Sequence, residues 1–556
     1  MINFVAAVLA VILSYILYRL VSGKSSPVDL IPGPPSPSWF YGHMIQLLLP
    51  KYYGEYEYKW QERYGGVYLL KGPFSQNRLM ISDPAALKFV LNDTATFERS
   101  TQQQAIVEML IGRNAVFYVQ GDDHRRIRNI MNNAFSPSSI RELPPIFKTI
   151  AEKVAEKLEA KIADAPSQSS GALIDIYHTI HSATLDGVGE GAIGYTFDAL
   201  DNKDSVLGNS HQNIMYAVMI NSWQSTTTYT YASSSSTMSG VRTKPDIVFE
   251  GIVPFFNKTL LQLAFSLPTR AFNALRHNRT TSAKVSAELI DNQVEALDMG
   301  ITTRKDLLHV MVKGNRSAKA SAKMSNAEMQ EQIPSLMIAG QDTTGNTISL
   351  ALIELGRDHQ LQDAIRKELA EAYSETNGNL TYSKLESLLL FNAFLKEVLR
   401  LHPGLPMSDR TVAKDTIIPL SRSIYNRNGA RISEIPVSAG QHIIVGTASY
   451  NRLTSIWGPD AQEFRPSRWL KSSHNIPKDS FGPFAGLATF LGGPRTCIGW
   501  RFALTEFQVM LSVLILRFRF TLPKDSPVRE VLAVTLAPAN EKNEFGLPLL
   551  VERLED

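Results

Sequence analysis

Apolar positions in this chain recur mostly at helical spacing, and the departures from that rule are informative. The first is "INFVAAVLAVILSYILYRLV", Ile2 to Val21, which is apolar on every side and about as long as a bilayer-crossing helix requires. No basic residue precedes it, while Arg19 and Lys24 lie at and beyond its end. Those flanks predict an uncleaved anchor over residues 1–21 rather than a cleavable signal peptide, with the rest of the chain on the cytosolic side. Pro32, Pro34, Pro35 and Pro37 then forbid helix continuation, so residues 22–38 read as a stiff linker and 39–556 as the folded body.

Within the body the pattern predicts a mainly α protein with small β-sheets. Strand-like pieces fall at "GGVYLLKG" and "NRLMIS", near Val67 and Leu79, and a helix with charged faces runs from about Ile146 to Ile162. Ser222 to Gly240 is too polar and small to pack a core and reads as a surface loop. Ser325 and Glu328 form a Ser-x-x-Glu capping box, which starts a long helix running past Leu355. Pro334, Gly340 and Gly345 weaken that helix, marking either a harmless kink or a distortion with a purpose. A further helix covers "KLESLLLFNAFLKEVLRLHP" and must stop by His402, ahead of Pro403. Glu397 and Arg400 share one face of it; alone, such a pair is an ordinary exposed ion pair.

Composition changes this picture little. The 556 residues are 44% hydrophobic and 20% charged, as in folded globular proteins, and a net charge of +3 on 56 basic and 53 acidic residues gives no case for nucleic acid. Cysteine usage matters more. One cysteine, Cys497, allows no internal disulfide, consistent with a cytosolic body.

Cys497 lies in "FLGGPRTCIG", before an amphipathic to buried helix. A helix N-terminus and nearby Arg495 favour thiolate, which could act as nucleophile or metal ligand; a lone cysteine can also be an inert buried residue. No histidine motif stands out to make a cysteine hydrolase, and structural zinc wants several cysteines. Haem iron needs only one thiolate and leaves its opposite side open.

The run Phe490, Gly493, Arg495, Cys497, Gly499 fits Phe-x-x-Gly-x-Arg-x-Cys-x-Gly, and the chain thereby resembles the cytochrome P-450 family of haem-thiolate monooxygenases. "AGQDTT" from Ala339, Glu397-x-x-Arg400 and "FRPSRW" with Arg468 match in the family's order, and the likeness spans the chain from anchor to "LPLLV". It implies a P-450 fold behind an N-terminal transmembrane helix and heme b with Cys497 as its metal ligand. Phe490, Gly493 and Gly499 would frame the cofactor, while His124, Arg128, Arg410 and Arg495 hold its propionates; His124 stands where the family has tryptophan. Glu397, Arg400 and Arg468 become a buried structural triad. Gly340 makes room for dioxygen, and Asp342 and Thr343 relay protons.

The implied reaction inserts one oxygen atom into a hydrophobic small molecule, with electrons from NADPH through NADPH-cytochrome P-450 reductase, on the cytosolic side of the endoplasmic reticulum membrane. Membrane lipid is the other expected partner. "TLDGVGEGAIGYTFDAL" resembles fungal members, many of which serve secondary metabolism or oxidise aromatic xenobiotics. A haem-thiolate isomerase or dehydratase, or a non-catalytic haem sensor, are the competing readings.

Overall fold

The computed structural model describes residues 26–165, 171–203, 205–209, 243–253, 258–300, 306–470, 481–525 and 527–554. The expected anchor at 1–21 and the Ser222–Gly240 segment lie outside the described residues. Among the described residues no helix is long and apolar enough to cross a membrane.

Helices dominate. Five of them shape the site: α1 (Gly121–Ala134), α2 (Tyr177–Val188), α3 (Asn326–Arg357), α4 (Leu389–Leu401) and α5 (Trp500–Arg517). The expected strands near Val67 and Leu79 form an antiparallel hairpin, Val67–Lys71 with Asn77–Ile81. They begin a five-stranded sheet completed by His442–Gly446, Met407–Val412 and Phe97–Glu98 in that spatial order. The second strand pairs parallel with His442–Gly446, the other neighbours antiparallel. A smaller sheet joins Gly171–Asp175, Pro548–Arg553 and Phe518–Thr521, so the end of the chain pairs with a strand just ahead of α2.

α3 is the axis of the body. Ser325 caps it as the sequence predicts: its Oγ accepts from the Glu328 N–H at 3.2 Å, and Glu328 accepts from the Ser325 N–H at 2.7 Å. The helix then runs 32 residues without interruption through Pro334. The hydroxyls of Ser335, Thr343, Thr347 and Ser349 each donate to the carbonyl four residues back, giving these polar side chains partners within the helix.

One expectation needs correction. The helix predicted over "KLESLLLFNAFLKEVLRLHP" is two helices, Tyr382–Ser387 and α4, with Leu388 in extended conformation between them. Glu368 makes the break: its carboxylate accepts from the N–H groups of Leu389, Leu390 and Phe391 at 2.8–2.9 Å, a cap supplied by a different helix. At Gly340 a Cβ would stand 2.5 Å from Val188 Cγ2, so the close packing of α3 on α2 requires the glycine.

Candidate active site

Cys497 sits in the turn that precedes α5, two residues before its N-cap Gly499 rather than on the helix itself. Its N–H donates to the Phe490 carbonyl at 2.8 Å, closing the turn, and Phe490 is itself buried. Gly493 makes the turn possible with φ of 68°; a Cβ there would stand 2.5 Å from the Leu91 carbonyl oxygen. Pro494 and Arg495 follow in a single 3-10 turn.

The Cys497 side chain is exposed, yet burial among protein atoms pushes its thiol up, against the pull of the Gly499 N–H and the Arg128 charge. A thiol that is both accessible and enclosed faces a space inside the fold. The thiolate-favouring charge expected from Arg495 comes instead from Arg128, whose Nη2 donates to the Thr496 carbonyl at 2.5 Å.

That space has a strong electrostatic character. Arg495 donates to the carbonyls of Val116 at 3.0 Å and Val119 at 2.6 Å, and Arg99 donates to the Phe117 carbonyl on the same loop. The loop is fixed in turn by α3: Gln332 accepts from the Val116 N–H at 2.9 Å and donates to the Asn114 carbonyl at 3.0 Å. Arg410 reaches in from the sheet, held by the Asp409 carbonyl at 2.7 Å. His124, on the buried face of α1, faces Arg495, Arg128 and Arg99.

These groups destabilise one another's charge. Burial, with the charges of Arg495 and Arg410, pulls Arg99 down to about 9; burial, with Arg410 and Arg128, pulls Arg495 to about 10. Burial brings Arg410 to about 10 against the help of Asp409. His124 drops to about 3, chiefly from burial and then from the three arginines, so it is a neutral imidazole at neutral pH. Guanidiniums buried against each other are costly unless an anion joins them. A flat apolar group that carries two carboxylates and presents a metal to Cys497 meets every one of these demands, and haem is such a group.

On α3 the structure places Asp342 and Thr343 at adjacent positions. Thr343 Oγ1 donates to the Ala339 carbonyl at 2.7 Å, and Asp342 is buried with His181 of α2 as a neighbour at 3.3 Å. Gly404 lies against Thr343, and its carbonyl accepts from the Leu536 N–H at 3.1 Å, so the segment after α4 and the strand from Leu536 meet here.

Glu397, Arg400 and Arg468 do form one buried cluster, and none exposes its side chain. Arg400 donates to both carboxylate oxygens, at 2.8 and 2.7 Å, and Arg468 to one at 3.2 Å. The Arg465 N–H and the Trp469 indole N–H add bonds at 2.8 and 2.9 Å. Burial works against the Glu397 charge, but Arg400 outweighs it and holds the carboxyl below its ordinary range.

The family model for cytochrome P450 matches residues 32–544. The chain belongs to that family. Among its relatives, cytochrome P450 monooxygenase 219 of Postia placenta is 30% identical over 510 residues, covering 89% of this chain and 88% of that protein. Cytochrome P450 monooxygenase claU of Ampulloclitocybe clavipes is 29% identical over 551 residues, covering 97% and 95%. The protein is a P450 monooxygenase, an oxidoreductase that incorporates oxygen, and the family implies a haem-thiolate iron.

Sequence reasoning missed Arg99 in this P450 site. It lies in "TFERS", which matches no motif of fixed spacing, so nothing in the sequence singled it out.

Proposed function

We propose that this P450 inserts one oxygen atom from dioxygen into a hydrophobic small molecule, using electrons from NADPH delivered by a membrane-bound flavoprotein reductase. The observation that carries the reading is the enclosed Cys497 thiol beside buried, mutually repelling Arg99, Arg128, Arg410 and Arg495. In this reading Cys497 would hold the haem iron through its thiolate, and the four arginines with neutral His124 would hold the propionates through planar forks and a ring N–H. Haem so held would supply the activation of dioxygen.

The chain's own residues do the rest. Phe490, Gly493 and Gly499 shape the turn that presents the sulfur. The Val116–Val119 carbonyls, pinned to α3 through Gln332, hold Arg495 and Arg99 in place before any ligand arrives. Asp342 and Thr343 supply protons to the distal side. α3, Gly404 and the segment from Leu536 bound the substrate space with small and apolar groups, which suits an apolar molecule such as a secondary metabolite or aromatic xenobiotic. An anchor at 1–21 and a linker at 22–38 would set the body, 39–556, on the cytosolic side of the endoplasmic reticulum membrane.

The test is a reductase-coupled screen of hydrophobic compounds under isotopically labelled dioxygen. One labelled oxygen per product, with NADPH and dioxygen consumed in step, supports the proposal. Product formed without NADPH consumption would point to an isomerase or dehydratase.

A further inference from the structure

The inner face of the five-stranded sheet holds a buried cation that no anion offsets among the described residues. Strand register puts Leu70, Arg78, His442 and Thr411 in one row across four neighbouring strands. Leu70 of that row, with Met80 and Ile444 of the next, packs into the main core, so the row faces the body of the protein. Arg78 is 7% exposed and lies over Gly72, where a Cβ would stand 2.4 Å from its Nε. That Nε is buried without a hydrogen-bond partner. The hairpin's other cation, Lys71, has Asp29 at 3.5 Å; Arg78 has no such partner among the described residues.

His442, on the parallel strand, supplies nothing negative. Burial and the Arg78 charge bring it to about 4, so its ring is neutral, and no hydrogen bond fixes that ring among the described residues. A guanidinium and an imidazole N–H therefore stand side by side as donors, an arrangement that is costly until an anion joins them.

The same face leads to the candidate active site. Met407 and Asp409 lie on it in the strand that carries Thr411, and Gly404, just ahead of that strand, packs on Thr343 of α3. Four residues along one strand and two strand spacings separate Met407 from Arg78, roughly 16 Å. Asp409 stands one row nearer α3 and repels an anion there, which leaves the Arg78 end of the face as the seat for negative charge.

We propose that Arg78, with His442 beside it, binds the carboxylate of an acidic substrate whose apolar body extends along this face toward Met407 and α3. The guanidinium gives parallel N–H donors to the two carboxylate oxygens, and the ring N–H adds another. The inference rests on the reading that this P450 oxidises a hydrophobic molecule beside α3, and narrows it to one with an acid end. A purely structural arginine would have its partner inside the fold.

Calorimetric titration of the haem-loaded full chain compares dodecanoate with its methyl ester, which share an apolar chain and differ in charge. Dodecanoate should bind more tightly. Its preference over the ester should fall at least about tenfold in Arg78→Met, which keeps the aliphatic stem, and less in Arg78→Lys, which keeps the charge without the fork. Thermal unfolding without ligand should find Arg78→Met no less stable than wild type, because the substitution removes a charge that has no partner in the fold. A wild type without preference for the acid, or a preference unchanged in Arg78→Met, overturns the proposal. So does an Arg78→Met chain that unfolds, since the guanidinium would then serve the fold. Turnover with reductase under labelled dioxygen is the second arm: dodecanoate that binds through Arg78 yet gains no oxygen, while the ester does, overturns the substrate assignment. If no compound of the hydrophobic screen gains oxygen, the function proposed above fails, and the affinity ratio still decides whether Arg78 seats the acid.

Discussion

Two clusters of buried arginines in this molecule obey opposite rules. Around Glu397, the guanidiniums of Arg400 and Arg468 face the carboxylates of Glu397 and Asp460, and their remaining N–H groups donate to the carbonyls of Asn451, Trp457, Ala461 and Glu463. Around Cys497, Arg99, Arg128, Arg410 and Arg495 crowd together, and among the described residues Asp409 is the one carboxylate whose charge eases them. The first cluster is closed on itself, which makes it part of the fold. The second is completed only by a ligand, which makes it a binding site. Burial of charge alone does not separate structure from function; whether the charges balance without a guest does.

The contrast breaks most violently at Glu397. Glu397→Gln leaves two buried guanidiniums facing a neutral amide and should cost about 3–5 kcal/mol, enough to remove most folded protein. Thermal unfolding and soluble yield would read this. Because its folded pKa is held below the ordinary value, the Glu397 contribution is present above the unfolded pKa and lost as acidification passes the folded one.

His402 is a third buried cation of the closed kind. It lies between Glu354 at 3.1 Å and Glu530 at 2.9 Å, and although burial opposes its charge, the two carboxylates raise it to about 9. A raised pKa stabilises the fold fully below the unfolded value of 6.5 and loses that stabilisation as pH rises through about 9. On the order of 3 kcal/mol should disappear across that window, and His402→Gln should remove the alkaline slope of thermal stability.

The open cluster should respond with the other sign. Arg495→Leu or Arg99→Leu removes a repelling charge, so the haem-free protein should be no less stable, while haem is lost faster by the ~1.5–3 kcal/mol of a charge-assisted hydrogen bond. Haem transfer to an acceptor protein measures this. If these variants instead unfolded the haem-free chain as Glu397→Gln does, the two clusters would not differ in kind. The smallest effect belongs to Asp460→Asn: its side chain is 17% exposed and its bond to Arg468 is backed by others, so about 1 kcal/mol is expected in a denaturant titration.

The same distinction explains what was legible in the sequence. The capping box at Ser325 and the end of α4 before Pro403 are local, so adjacent residues carry the signal. Glu397 and Arg400 were visible as a helical pair, but their burial was not, because Arg468 and the carbonyls that satisfy them come from distant segments; only the family motif joined them. Glu368 could not be foreseen as the cap that splits a predicted helix, since its three acceptor bonds are tertiary. Arg99 was missed for the same reason. It acts through neighbours from other elements and belongs to no motif with fixed spacing.

The most direct test of the account is the absorption difference spectrum of the purified full-length protein, reduced with dithionite and exposed to carbon monoxide. The thiolate-held haem assigned to Cys497 predicts the band at the wavelength that gives the family its number, lost in Cys497→Ser while haem content persists. A folded, haem-containing wild-type protein without that band, or a Cys497→Ser variant that keeps it, would contradict the account.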